Sequence, residues 1–128
     1  MIRVKVFKQS NYPVSSPQIK HYLRIFLTGK GIVSEARVSV ALVDRKKMLS
    51  LSGQYLQEKK QLHNVLSFPA REVRSDFLDP DKSLDLGEII VCYPVAFEEA
   101  KSDNKTVEQK IKELIEHGAL HLLGIHHR

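Results

Sequence analysis

Cysteine and tryptophan are almost absent from this 128-residue chain, which contains Cys92 and no tryptophan. One cysteine excludes an internal disulfide, and because Cys92 follows three apolar residues we expect it to be a buried thiol. Long hydrophobic runs are missing too, since no apolar run approaches the roughly 20 residues that a membrane helix needs. The first residues alternate between charged and apolar side chains instead of forming the apolar stretch of a signal peptide. We therefore expect a cytoplasmic protein with no membrane partner.

The composition is otherwise ordinary for a globular protein. Hydrophobic residues make up 42% of the chain and charged residues 27%, values that argue against disorder and against a fibrous repeat. A chain of this length can bury one core and is too short for a second independent one. We therefore predict one domain over residues 1–128.

The charge is distributed unevenly along the chain. Residues 1–64 hold 12 Lys and Arg against 3 acidic residues, a net charge of +9, whereas residues 65–128 hold 8 against 12, a net charge of −4. A basic segment suits a polyanionic partner because each cation that meets a phosphate releases condensed counterions. Charge alone fits an ordinary solvated surface equally well.

Hydrophobic patterning alternates between strands and helices. The predicted strands, chosen by β-branched content and alternation, are residues 2–7, 38–43, 65–69 and 87–92. The predicted helices begin at a cap or an early proline, namely at Ser16-Pro17, Asp44, Pro94 and Thr106. This order predicts an α+β fold, a small mixed β-sheet with helices packed against it.

The last predicted helix has the clearest boundaries. Thr106 and Gln109 have the spacing of a capping box, in which each side chain bonds to the backbone N–H of the other residue. Gly124 is placed to end the helix, because glycine tolerates the left-handed conformation common at helix C-termini. Apolar or small residues recur between these points at helical spacing, at Val107, Ile111, Leu114, Ile115, Gly118 and Leu122.

Four of the six histidines fall within the last 12 residues. His117 and His121 are one helical turn apart, so their imidazoles project from the same face and can share one cation. Gly124 turns the chain back, and His127 can then reach the same ion. Three neutral imidazoles leave a tetrahedral Zn²⁺ with one open position for water, which is the catalytic arrangement. We therefore predict one Zn²⁺ per chain, bound at a C-terminal metal-binding helix.

The same histidine spacing occurs in the metzincin peptidases, with one difference. Those enzymes place a glutamate directly after the first histidine as the general base. Here that position is Gly118, so ordinary zinc peptidase chemistry lacks its proton acceptor.

Three sequence blocks, in this order, resemble the YbeY family of single-strand-specific, metal-dependent endoribonucleases. Residues 64–69 read Asn-Val-Leu-Ser-Phe-Pro, residues 86–89 read Leu-Gly-Glu-Ile, and residues 117–127 read His-Gly-Ala-Leu-His-Leu-Leu-Gly-Ile-His-His. The family signatures are Asp/Asn-Val-Leu-Ser-Phe-Pro, Leu-Gly-Asp-Ile and His-Gly-x-Leu-His-Leu-x-Gly-Tyr-Asp-His. The resemblance implies metal ligands at His117, His121 and His127, usually on zinc. It also implies single-stranded RNA as the substrate and not DNA, with roles at ribosomal RNA or the small ribosomal subunit, in 3′-end maturation and in ribosome quality control.

The chain departs from the family pattern at positions that bear on catalysis. Members usually carry a Tyr-Arg pair shortly before the Leu-Ser-Phe-Pro block, whereas residues 55–60 here read Tyr-Leu-Gln-Glu-Lys-Lys. Arg71 follows that block by two residues and is our candidate for a replacement phosphate clamp. His126 stands where the family has aspartate, and an imidazole suits proton transfer at neutral pH. The alternative interpretations are that Arg71 is an ordinary surface arginine and that His126 only braces the third ligand. The catalytic candidates are His117, Arg71 and His126.

Basic residues on either side of the second predicted helix are the candidates for RNA binding. They bracket a helix that leads toward the Asn64 block and would line one wall of a cleft. The candidates are Arg45, Lys46, Lys47, Lys59 and Lys60. A solvated helix surface is the competing interpretation.

Three functions fit the sequence. The first is an endoribonuclease that holds single-stranded RNA in a basic groove beside its metal. The second is a ribosome-assembly factor that binds RNA and keeps a mainly structural metal, which the missing arginine favours. The third is a zinc peptidase, which Gly118 disfavours.

Overall fold

The computed structural model describes residues 1–56, 61–70 and 84–124. It contains four strands and four helices within these ranges. In chain order they are β1 (Ile2–Lys8), α1 (Ser16–Gly29), β2 (Ala36–Val43), α2 (Arg45–Tyr55), β3 (Val65–Pro69), β4 (Leu84–Cys92), α3 (Tyr93–Ser102) and α4 (Val107–Leu122). The predicted α+β fold with a small mixed sheet is confirmed.

The described strands form one sheet in the order β1-β2-β4-β3. β1 pairs with β2 and β2 with β4 in parallel, whereas β3 runs antiparallel to β4. β4 lies between two partners, β2 and β3. Its last residue, Cys92, is a buried free thiol, as predicted.

The two faces of the sheet pack against different helices. Val4, Val38 and Ile89 belong to the larger core, which contains buried residues of α1 and α4. On the opposite face, Met48 of α2 and Ile90 of β4 are buried in a smaller cluster. Burial of apolar area on both faces is the main favourable contribution to folding. The sheet is therefore a middle layer, with α4 on one side and α2 on the other.

Side-chain caps define where three helices begin. Asp44 accepts a hydrogen bond from the backbone N–H of Lys47 at 2.8 Å, and both hydrogen bonds of the Thr106–Gln109 capping box are present. These two predictions are confirmed. The cap predicted at Ser16 is wrong by one residue: Ser15 accepts from the N–H of Gln18. Proline at the second helical position costs no bond there, because first-turn N–H groups lack helical partners.

Within the part of the chain that the structure describes, no helix is both long and apolar enough to cross a membrane.

Candidate active site

The two histidines of α4 lie side by side. The ring centroids of His117 and His121 are 4.5 Å apart, and the ring planes are tilted by 45°. Two nitrogens bound to one tetrahedral Zn²⁺ at about 2.0–2.1 Å lie roughly 3.4 Å apart. Rings with this centroid spacing can present nitrogens at that separation. His117 is exposed and His121 is half-buried, so the pair lies at the boundary between core and solvent.

Gly118, between these histidines, sets how closely α4 approaches the sheet. A Cβ atom placed on Gly118 would lie 2.8 Å from Cγ2 of Ile89, a fully buried side chain of β4. Ile89 is the register partner of Ser67 in β3. The helix backbone thus rests directly on β4, next to β3, and glycine is the residue that allows this contact.

Hydrogen bonds anchor α4 on the side of α1. The hydroxyl group of Tyr22 in α1 donates to the carboxylate of Glu116, the residue before His117. Burial, followed by this hydrogen bond, raises the pKa of Tyr22 to about 12. The hydroxyl therefore stays protonated and keeps donating throughout the physiological pH range.

A second polar network joins α4 to the start of β3. The side-chain amide of Asn64 donates to Glu99 of α3 at 3.1 Å, and its backbone carbonyl accepts from the N–H of Cys92 at 2.9 Å. The ammonium group of Lys110 in α4 lies 3.6 Å from Glu99 and 3.0 Å from Asp103. The sequence alone did not reveal this role of Asn64, which fixes β3 relative to α3 and α4.

The two histidines that the structure describes at this site, His117 and His121, fit a bound metal. Two neighbouring imidazoles are typical zinc ligands, and three are expected at a catalytic site. No group of three His, Cys, Asp or Glu residues within residues 1–56, 61–70 and 84–124 is arranged to hold a metal. The predicted third ligand, His127, lies outside these ranges, as do the catalytic candidates Arg71 and His126.

The basic candidates divide in the same way. Arg45, Lys46 and Lys47 are exposed in the first turn of α2, whereas Lys59 and Lys60 lie outside the described residues. Arg45 also lines a cavity of about 330 Å³ beside three aromatic rings. These rings belong to Tyr12, Tyr93 and Phe97. The described cations therefore stand together at one corner of the fold, at the end of β2.

Comparison with known proteins decides the family. The family model described as Endoribonuclease YbeY matches residues 6–128. The chain belongs to the YbeY endoribonuclease family. Endoribonuclease YbeY of Acinetobacter baumannii strain AB307-0294 is 32% identical over 121 residues, which cover 94% of this chain and 75% of that protein. Endoribonuclease YbeY of Macrococcus caseolyticus is 34% identical over 111 residues, covering 87% and 71%.

The three-dimensional comparison agrees with this assignment. The solution structure of TM1509 from Thermotoga maritima superposes with a TM-score of 0.63 at 27% identity, covering all of this chain and 75% of that one. The YbeY-family chain is thus a hydrolase of the endoribonuclease class, in a metal-dependent family, and its substrate is RNA. These findings confirm the resemblance based on three short blocks.

Proposed function

We propose that this YbeY-family chain cleaves single-stranded RNA during ribosomal RNA maturation, including the 3′ end of the small-subunit RNA, and acts in ribosome quality control. We propose one Zn²⁺ per chain, held by His117, His121 and His127, in a single domain that spans residues 1–128. The observation that carries the proposal is the pair of adjacent imidazoles on α4. The family assignment supplies the reaction class.

The chain's own residues prepare this site in two ways. Gly118 lets the helix rest on Ile89, so the part of α4 that carries His117 and His121 lies against β4. The Tyr22–Glu116 hydrogen bond restrains the turn that precedes His117. A divalent ion bound there supplies positive charge that polarises a phosphoryl oxygen or a water molecule. Orientation of such a site by surrounding packing and hydrogen bonds is what keeps it productive.

The cations at the start of α2 support an RNA-binding role. Arg45, Lys46 and Lys47 occupy the first turn, where the helix dipole and unpaired N–H groups already carry partial positive charge. Cations are electrostatically unfavourable at this position, so their presence is poorly explained by helix stability. They offer charge-assisted bonds to phosphates. We assign them, with Lys59 and Lys60, to binding of the RNA backbone.

Arg71 and His126 are proposed to complete the chemistry. Arg71 follows β3 by two residues, and its guanidinium group would clamp a phosphate in place of the family arginine. His126 would move a proton next to the third ligand. Replacing each by Ala separates this proposal from a structural role, provided that metal content is measured in parallel. Cleavage at the parent rate in both variants would contradict the proposal.

The test of the function itself is a cleavage assay on purified chain. We expect cleavage of an unstructured RNA, no cleavage of the same RNA in a duplex, loss of activity with a chelator and recovery with Zn²⁺. An RNA-bound, metal-replete chain that never cleaves would favour the ribosome-assembly factor. The zinc peptidase interpretation has no support in the structure, since the carboxylate position next to His117 is filled by the Gly118–Ile89 contact.

A further inference from the structure

A groove crosses the face of the sheet on which α2 packs, opposite α4. It consists of two adjoining cavities of about 460 and 630 Å³ that share Lys5, Ser39 and Glu88. We call it the sheet groove. Ser39 is the register partner of both Lys5 and Glu88, and the row ends at Phe68 of β3, the partner of Glu88. The groove therefore reaches all four strands, a width of about 14 Å at ordinary strand spacing.

The sheet groove carries more positive than negative charge. Its lining includes four cations and two carboxylates, namely Arg3, Lys5, Lys20, Arg37, Asp85 and Glu88. Arg37 and Asp85 form an ion pair at 3.5 Å, which leaves a cationic surplus from the other residues. A lining this rich in charge is unlike the core of a protein–protein interface, where charged residues are depleted. It complements a polyanion.

An exposed aromatic ring stands at the β1 end of the groove. Phe7 is 62% exposed and lines the smaller cavity. In β1 it is in phase with Arg3 and Lys5, on the face opposite the buried residues Ile2 and Val4. Phe7 is therefore not a core residue, and its ring exposes apolar surface to water. Phe68, at the other end, is half-buried and contacts Tyr55 with a ring-centroid distance of 5.5 Å.

We propose that the sheet groove binds a single-stranded stretch of the RNA that the chain cleaves, with a base stacked on Phe7. An aromatic ring on a basic sheet surface suits single strands, because every base has a face that can stack and each phosphate can meet a cation. Lys5 and Arg3 contact phosphates. The Glu88 carboxylate repels phosphates and accepts from amino groups of bases such as cytosine. The groove spans roughly four stacked nucleotides at about 3.4 Å each.

This inference rests on the proposed RNA-cleaving function and adds a second contact surface to the cations of α2. Phe7→Trp provides a direct test, since the chain has no tryptophan of its own. The probe is a single-stranded RNA of about 12 alternating cytidines and uridines, within the site sizes such grooves cover. Binding is followed by tryptophan fluorescence and by anisotropy of a labelled RNA, and the integrity of the RNA is checked on a gel.

We expect saturable quenching of Phe7→Trp, with the same dissociation constant that anisotropy gives. Phe7→Ala should bind at least about fivefold more weakly, because one base–aromatic stack is lost. Lys5→Ala should reduce the slope of log affinity against log salt by about 0.7. The matched controls are at α1, where Ile25 is 58% exposed and Lys30 lies over the ring of Phe26. Ile25→Trp should not be quenched, and Ile25→Ala and Lys30→Ala should bind like the parent.

Binding of Phe7→Ala at parent affinity, or an unquenched Phe7→Trp that still binds the RNA, would overturn the inference. A sheet groove that docks a protein instead would give the same two results. Retained binding by Phe7→Trp shows that the fold tolerates changes at this position, so weak binding by Phe7→Ala is not a folding defect. If the parent binds the RNA and Phe7→Trp is quenched, but neither chain cleaves RNA with metal present, the proposed function fails while RNA binding by the sheet groove stands.

Discussion

Gly118 of α4 and Ile89 of β4 are in such close contact that any side chain on Gly118 would meet the Ile89 branch, at 2.8 Å from Cγ2 and 3.3 Å from Cγ1. Ile89 is β-branched and fully buried, so it cannot turn aside. The contact explains why glycine follows the first histidine. It also explains why a peptidase-type glutamate is sterically excluded there.

Gly118→Ala should therefore destabilise the fold. Overpacking of a buried site costs typically about 1–3 kcal/mol, and the gain in helix propensity offsets at most about 1 kcal/mol of it. We expect a net loss in the free energy of unfolding, measured by urea denaturation, and a smaller loss in an Ile89→Ala background. Gly29→Ala is the matched control, because its added Cβ meets no described atom within 4 Å beyond its chain neighbours and its own helix backbone. Equal effects at the two glycines would refute the steric account.

Asn64→Asp should destabilise the start of β3 at neutral pH. The amide that donates to Glu99 at 3.1 Å becomes a second carboxylate, so a hydrogen bond is lost and repulsion appears. We expect a loss of roughly 1–2 kcal/mol, toward the low end for bonds to charged groups because the Glu99 side chain is 37% exposed. The two carboxylates repel only while both are ionised, so stability should return as the pH falls below the range where carboxylates ionise. Glu99→Gln in the same chain should restore it at neutral pH, and no rescue would contradict the prediction.

Tyr22 should ionise at a pH well above the ordinary value for tyrosine. Its pKa is raised to about 12 by burial and by the Glu116 hydrogen bond, from an ordinary value of 10.0. Because the pKa of Tyr22 is higher in the folded state than in the unfolded state, the folded chain keeps the hydroxyl proton to a higher pH. The stabilisation is complete below pH 10 and is lost as the pH rises through about 12. The tyrosinate absorbance of the parent minus that of Tyr22→Phe should rise near the higher value, and a midpoint near 10 would show that the hydroxyl is not held as described.

Replacing Arg45, Lys46 and Lys47 by Gln should weaken RNA binding in a salt-dependent manner. Each lost phosphate contact reduces the slope of log affinity against log salt by about 0.7 for a single strand. Gln keeps the helix propensity close to that of Lys and Arg, so α2 should persist. A triple variant of equal charge, with Gln at the exposed residues Lys30, Lys101 and Lys112, is the control. The same slope in the two triple variants would mean that only net charge matters.

Local signals in the sequence predicted most of the fold. The Asp44 cap and the Thr106–Gln109 box depend on residues three apart, so the sequence reveals them directly. The pairing of His117 and His121 follows from helical spacing alone. Contacts between distant elements were not predictable in this way. The bond of Asn64 to Glu99 depends on how β3 and α3 meet, which no local pattern specifies.

The sheet groove could be predicted from the sequence only in part. The alternation of side chains along β1 places the apolar Phe7 on the same face as the charged residues Arg3 and Lys5, and this placement can be read from the sequence. That Ser39 and Glu88 continue the same row depends on the register of β2 and β4. Charge counting indicated a basic N-terminal half but could not divide its cations between the sheet face and α2.

We propose that α4 provides two ligands for one catalytic metal ion. The test is metal analysis of purified, metal-replete protein, with His117→Ala and His121→Ala measured beside the parent. The exposed His21 of α1, replaced by Ala, is the control. We expect one divalent ion, zinc, per parent chain and per His21→Ala chain, and loss of the ion in both α4 variants. No bound ion in the parent, or unchanged metal content in His121→Ala, would contradict it.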